Sequence, residues 1–530
     1  MAEHYDVIVV GTGAGGGTLA YRLAASGKRI LILERGNFLP REKENWMAKV
    51  AFGTNRYFGS EVWYDPQGKE LHPGMAYFVG GNTKLYGAAL FRLREKDFEA
   101  YPHRDGLSPA WELKYNDFEP YYAEAEALYQ VHGQQGLDPT EPLRSGEFPY
   151  PAIAHEPRIQ EIANALTERG LHPYYTPVGI RLNAAQMYLS DCIRCSTCDG
   201  YPCLLHAKSD AEVSTVRPVM GQSNVTLLTE AKVVKLHTSE SGREITAVEA
   251  EVQGERQMFS ADIVALSCGA VNSAVLLMKS ACDRHPNGLA NSSDLVGRNL
   301  MKHVLGSIVA VSRELNPTIF QKTISINDFY WGEPGYDYPM GQIQTTGKVN
   351  AEALSLNPAP YLPLTPEQVA EHSTDWWLTT EDVPDPNNRV TVDGDKIVLD
   401  YTENNTEPFQ RLEHRWIEIL KDIGAAENLY PHPSYFDRTC RRPDCDAPES
   451  PKSYFASKMP VDNVAHQVGT CRFGSDPATS VLDLNCRTHE IDNLYLVDGS
   501  FFCSSGAVNP TLTIIANALR VGDHLLDRLK

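Results

Sequence analysis

The sequence predicts an α/β fold in which a discontinuous nucleotide-binding domain encloses an inserted α+β domain built on a mainly antiparallel sheet. Three observations carry this. "YDVIVVGTGAGGGTLAYRLAASGKRILILERG" reads strand, glycine turn, helix, strand. From residue 486 the same α/β texture returns in "NLYLVDGSFF" and "LTIIANALRVGDHLLDRLK". Between them, residues 305–460 are rich in Pro and aromatics and alternate with the two-residue period of half-buried strands.

The N-terminal unit is the clearest. Asp6–Val10 is short, apolar and β-branched, as a buried parallel strand must be. Gly11-x-Gly13-x-x-Gly16 follows at once. Gly11 permits the tight turn, Gly13 lets a pyrophosphate approach the backbone, and Gly16 allows close helix–strand packing. The phosphates then sit on the free N–H groups of the helix that ends near Gly27. The second strand, "RILILE", ends at Glu34, placed to accept from ribose hydroxyls. This Rossmann-type unit suits NAD or the adenosine half of FAD, and the motif alone leaves the choice open.

The remaining elements follow in chain order. Residues 36–110 read as irregular, and 115–133 and 156–170 as helices joined by a loop. Residues 224–238 and 247–270 read as strands, and 270–281 as a helix. "LGSIVAV", "DWWLTTED" and "NRVTVDGDKIVLDY" are the strands of the inserted sheet, and 407–424 is an amphipathic helix. The expected boundaries are 1–300 with 461–530 for the nucleotide domain, including irregular lid and connecting segments around 36–185, and 301–460 for the substrate domain.

The bulk numbers bound the partners. A chain of 530 residues needs more than one core. A formal net charge of −20 argues against nucleic acid, which requires clustered Lys and Arg. The N-terminus enters a strand without a visible signal sequence, and no apolar run reaches the ~18 residues of a membrane span. A cytoplasmic setting, with reduced thiols, is therefore expected.

"DCIRCSTCDGYPCLLHAKSD" holds Cys192, Cys195, Cys198 and Cys203 in C-x2-C-x2-C-x4-C spacing. The first three match the opening of a ferredoxin-type loop, but the fourth comes one residue late and is not followed by Pro. An iron–sulfur cluster, a zinc site and unligated or partly disulfide-bonded thiols all remain open. Cys440 and Cys445 read as a local disulfide or spare thiols. Cys268, Cys471 and Cys503 read as packed small residues.

The tail "HQVGTCRFGSDPATSVLDLNCRTHEIDNLYLVDGSFFCSSGAVNPTLTIIANALRVGDHLL" resembles the C-terminal signature of the glucose–methanol–choline (GMC) flavoprotein oxidoreductases, closest in feel to their bacterial sugar- and polyol-oxidising members. "GGNTKLYGAAL", "NVTLLTEAKVVKL", "ALSCGAVNSAVLL" and "LVGRNLMKH" agree in order. The resemblance implies FAD. Gly11, Gly13 and Gly16 would hold its pyrophosphate and Glu34 its ribose. Gly81, Asn82 and Thr83 would lie along the flavin, Val233 at adenine, Asp498 and Gly499 near the pyrophosphate or ribityl chain, and Pro510 and Thr511 at the isoalloxazine. Leu85 stands where some members attach FAD to a His, which implies non-covalent FAD. His466, in H-x-x-G-T-x-R-x-G, matches the family's base, and Asn509 its second catalytic position.

That assignment suits the chemistry. Oxidising an alcohol removes a proton from oxygen and a hydride from carbon. His accepts the proton near neutral pH, an Asn amide orients the hydroxyl, and FAD N5 takes the hydride. The competing reading of His466 is a satisfied structural histidine. His303, in "GRNLMKH", is expected to pack or hydrogen-bond rather than to catalyse. Trp377 and Glu381 are candidate pocket residues.

The expected substrate is a sugar-like hydroxyl (sugar, glycoside, polyol or aminosugar). The alternatives are a choline- or sterol-type oxidation, or an inactive flavin-binding partner subunit. The electron acceptor is oxygen, a quinone or a redox protein, and a homo-oligomer is possible.

Overall fold

The computed structural model describes residues 3–54, 56–356, 364–427, 454–463 and 466–530. The Cys440–Cys445 pair lies outside them.

The N-terminal sequence builds strand β1 (Glu3–Val10), helix α1 (Ala14–Ala24) and strand β2 (Ile30–Leu33). Residues 225–266 add β3 (Val225–Leu228), β4 (Ala231–Thr238), β5 (Ile245–Val252) and β6 (Glu255–Leu266). The order is β3-β2-β1-β6-β5-β4, with the late strand Leu494–Leu496 beside β6. The β3-β2-β1-β6 pairings are parallel, as is the late strand on β6. That explains why β2 is buried throughout: a parallel sheet covered on both faces has no solvent side. Helix α2 (Ala270–Lys279) follows β6, and α3 (Thr511–Arg528) closes the chain against α1, with Asp523 pairing Arg22.

The second sheet is antiparallel. It holds β7 (Val304–Val311), β8 (Ile324–Ile326), β9 (Gln342–Thr345), β10 (Ser373–Thr380) and β11 (Tyr454–Lys458), in the order β11-β7-β10-β9-β8. Period two sorts its faces. Ile308, Ile343, Trp376 and Leu378 join a core with Phe409 and Trp416 of the helix Thr406–Asp422. Ser307, Gln344 and Trp377 are register partners on the opposite face.

Three expectations change. The helix over 115–133 stops at Leu128: Gln130 turns left-handed (φ 49°), and Val131–Gly133 pairs as a strand with Val178–Gly179. The hairpin at 389–400 stands apart from the second sheet and pairs with Trp63–Tyr64, itself paired with Glu70–Leu71. Tyr174–Tyr175, from the connecting segment, extends the second sheet beyond β8. Among the described residues, no helix is long and apolar enough to cross a membrane.

Candidate active site

A cavity of about 2100 Å³ runs between the two sheets. One end is walled by the β1–α1 turn, Glu34, Val233 and Asp498. Gly11 adopts φ +96°, a left-handed turn that glycine makes without strain. A Cβ on Gly16 would lie 2.1 Å from the Gly11 carbonyl oxygen, so α1 can seat against the turn only without a side chain. A Cβ on Gly13 would meet nothing within 4 Å: the space it faces is the cavity itself. The outward N–H groups of the first α1 turn therefore look onto room for an anionic group.

Glu34 is buried. Its Oε2 accepts from the Thr12 N–H (3.0 Å) and Thr12 Oγ1 (2.5 Å), and its Oε1 from the Gly36 N–H (2.9 Å). A carboxylate offers about four lone-pair sites, so one remains on Oε1 for a ribose hydroxyl. Asp498 is fully engaged by the protein. It accepts from Ser500 through Oδ1, and from the Gly269 N–H and Ser273 Oγ through Oδ2. Its role is to tie the turn after β6 to the segment after Leu494–Leu496. Gly81, Asn82 and Thr83 form a short helical turn on the cavity wall. Asn82 Oδ1 accepts from the Ala76 N–H, and Thr83 Oγ1 from the Ala211 N–H. These features fit a dinucleotide: an open cradle at Gly13, a free acceptor at Glu34 and a cavity long enough for both halves.

The other end gathers polar groups. Asn509, Pro510 and Thr511 form the N-terminus of α3, which faces the cavity. His466 lies beside them, its Nε2 3.4 Å from Asn509 Nδ2. The Asn509 Oδ1 accepts from Gln344 Nε2 at 3.3 Å. Behind His466, its Nδ1 is 3.0 Å from Nδ1 of the fully buried His303. Burial, with His303 and Lys302 nearby, pulls the His466 pKa down to about 3, so its imidazole is neutral.

Trp377 lies on the cavity wall opposite Gln344, but Glu381 does not. The strand that alternates Trp377 toward the cavity ends at Thr380, and the chain turns away. Glu381 is buried against Tyr101, His103 and Ser108, as a structural carboxylate. Gln344 and the Asp199–Lys322 pair (2.7 Å) were not singled out from sequence, although both lie on the wall. A signal was present for the first: "GQIQTTG" places Gln342 and Gln344 two apart in a fully buried strand, where polar side chains need a reason.

The cysteine segment reaches the cavity through Ser196, Asp199 and Tyr201. Its four cysteines are free thiols. Burial pushes the Cys192 thiol up to about 12 and Cys198 up to about 11. Cys192 Sγ accepts from the Arg194 N–H, and Cys203 Sγ from the Ala207 and Lys208 N–H groups, each at 3.4 Å. Among the described residues, no three or more His, Cys, Asp or Glu side chains are placed to hold a metal ion. As arranged, the thiols do not form a ligand set for a cluster or zinc.

Comparison with known proteins gives the chain's family. Models of the family described as GMC oxidoreductase match residues 5–305 and 384–518. The chain is 29% identical to the 6'''-hydroxyparomomycin C oxidase of Streptomyces lividus, over 99% of this chain and 92% of that protein. It is 28% identical to the 2-methyl-1,2-propanediol dehydrogenase of Mycolicibacterium austroafricanum, over 99% and 96%. Its fold resembles that of pyridoxine 4-oxidase from Mesorbium loti (TM-score 0.67, 19% identity), covering 98% of this chain and 99% of that one.

Proposed function

The chain belongs to the GMC oxidoreductase family, whose members bind FAD and oxidise CH–OH donors, and we propose that it oxidises a hydroxyl of a sugar-like substrate with His466 as base. The observation that carries this is the pairing of His466 Nε2 with the Asn509 amide on the cavity wall, at the N-terminus of α3. Bound FAD supplies the acceptor for the hydride that leaves the substrate carbon.

The geometry supports the following contributions from the protein's own residues. Neutral His466 takes the hydroxyl proton. Asn509, held by Gln344, donates to the hydroxyl oxygen as it gains negative charge. The N-terminus of α3 favours negative charge at this end of the cavity. Gly11, Gly13, Gly16 and Glu34 would hold the adenosine diphosphate half, and Val233 would line the adenine end. Leu85, on the cavity wall, offers no nucleophile, which supports a non-covalently held FAD.

The substrate class rests on the residues of the cavity wall. Trp377 offers an apolar face, while Gln344, Asp199 and Lys322 offer hydrogen-bonding groups around it. That mixture suits a polyhydroxylated ring better than a sterol, which needs an apolar wall. Relatives named for a paromomycin derivative and for a diol agree with it.

The test is His466→Ala, followed by stopped-flow reduction of the flavin with sugars, aminosugars and diols. The variant is expected to keep FAD and lose ~10²–10⁴-fold in reduction rate. Reduction at near wild-type rate would refute the assignment of the base.

A further inference from the structure

His303 does not line the cavity and meets the reacting groups only through His466. It is fully buried, and its ring stands perpendicular to that of His466, with centroids 5.2 Å apart. Its second ring nitrogen, Nε2, lies 3.2 Å from the backbone carbonyl oxygen of Ser505. A carbonyl oxygen only accepts, so His303 Nε2 must carry a hydrogen. In a neutral imidazole the other nitrogen is then a bare acceptor. Nδ1 of His303 faces Nδ1 of His466 at 3.0 Å, so His466 must donate there. With its proton on Nδ1, His466 leaves Nε2 bare, and Nε2 is the atom beside Asn509.

We propose that His303 is a positioning residue that fixes the tautomer of His466, so that the Nε2 lone pair always faces the substrate hydroxyl. The inference rests on His466 being the base. The same logic extends outward. A bare Nε2 requires Asn509 to present its NH2, which leaves Asn509 Oδ1 to accept from Gln344 Nε2. One backbone carbonyl thus orients four side chains in series: His303, His466, Asn509 and Gln344.

The backbone shows that His303 is held deliberately. It adopts φ +65°, in the left-handed region. The Asp382 carboxylate accepts from the N–H groups of both Lys302 (2.7 Å) and His303 (2.9 Å), clamping that turn. Tyr401 and Ser505 hydroxyls also donate to Asp382, which fixes the clamp to the segment that supplies the carbonyl. Burial lowers the His303 pKa despite nearby Asp382 and Glu381, in keeping with the neutral ring the chain requires. A cationic His303 would donate from both nitrogens and force the opposite tautomer.

The test uses three variants of the full-length holoenzyme and one measurement independent of turnover. Nitrogen-15 NMR of histidine-labelled protein, with the His466 signals assigned by their loss in His466→Ala, should show Nδ1 protonated and Nε2 bare. A protonated Nε2 in wild type overturns the proposal. His303→Phe removes the acceptor and should lower kcat ~10–100-fold with little change in KM, the range expected when the partner orienting a ligand or base is lost. His303→Asn restores an acceptor in place of Nδ1 and tolerates the left-handed backbone, so it should recover most of that loss. Wild-type kcat in His303→Phe, or equal loss in His303→Asn with full FAD content, overturns the proposal. If His303→Phe does not fold, the NMR result and His303→Asn still decide. Near wild-type turnover in His466→Ala would sink the parent reading instead, a different pattern from failure at His303 alone.

Discussion

Substituting Gly13 by Ala separates the cofactor cradle from the fold. Gly13 precedes α1 with φ −66°, which alanine adopts freely. Its Cβ would meet no protein atom within 4 Å, so the apoprotein should lose only the difference between Gly and Ala before a helix, under about 1 kcal/mol. The methyl instead occupies the space onto which the first α1 N–H groups face. Displacing a phosphate from two charge-assisted hydrogen bonds at about 1.5–3 kcal/mol each gives roughly 3–6 kcal/mol. That corresponds to about 10²–10⁴ in the FAD dissociation constant. Gly16→Ala is the counterpart. Its Cβ would lie 2.1 Å from the Gly11 oxygen and 3.0 Å from Ser267 Cβ, so α1 must shift by about 1 Å. Overpacking of that kind costs about 1–3 kcal/mol and lowers the apoprotein Tm. Flavin-fluorescence titration of apoprotein and thermal melts without FAD read the two quantities separately. If Gly13→Ala binds FAD within about threefold of wild type, the cradle has been placed wrongly.

Asn509→Ala should slow flavin reduction by ~10²-fold or more while leaving substrate affinity within a few fold, because the amide acts on developing charge. An effect confined to KM would contradict that role. Non-covalent FAD should appear in the supernatant after acid precipitation; flavin remaining on the pellet would contradict the role given to Leu85. Asp97 gives a pH signature. Burial, reinforced by Glu381, raises its pKa from 3.8 to about 7. The folded state therefore favours the neutral acid: its contribution is full below the unfolded value and is lost as pH rises toward 7. At 1.36 kcal/mol per unit, that loss reaches at most about 4 kcal/mol. Asp97→Asn is neutral throughout, so its Tm relative to wild type should climb between about pH 4 and pH 7 and then level. A pH-independent difference would exclude this reading.

The glycine turn, Glu34 and the pairing of His466 with Asn509 could be read from sequence because each depends on local spacing or on a contiguous signature. Gln344 could not, because its importance comes from a register: it reaches Asn509 only through its place in β9, opposite Trp377 on β10. Glu381 was a pocket candidate only from its place in the inserted domain; β10 ends one residue before it, and its carboxylate is buried against Tyr101, His103 and Ser108. For the four cysteines, spacing could suggest a ligand set but could not say where the sulfurs point. His303 was read as a packing or hydrogen-bonding residue, but its partner, 163 positions away, could not be named from spacing.

The first sheet also sets an order of events during synthesis. β1, α1 and β2 emerge early, but the strand Leu494–Leu496 that pairs with β6, and the helix α3 that lies across α1, come near the end of the chain. At ribosomal rates of about 5–20 residues per second, that interval lasts roughly 25–100 s. Throughout it the apolar face of α1 lacks its cover, and from the moment β6 emerges one side of that strand lacks its partner. Long-range closure of this kind folds slowly and exposes a sticky sheet edge to neighbouring chains. Yield on overexpression should therefore depend on holding factors that shield the nascent chain. Products truncated before Leu494 should aggregate even though they carry the entire glycine turn.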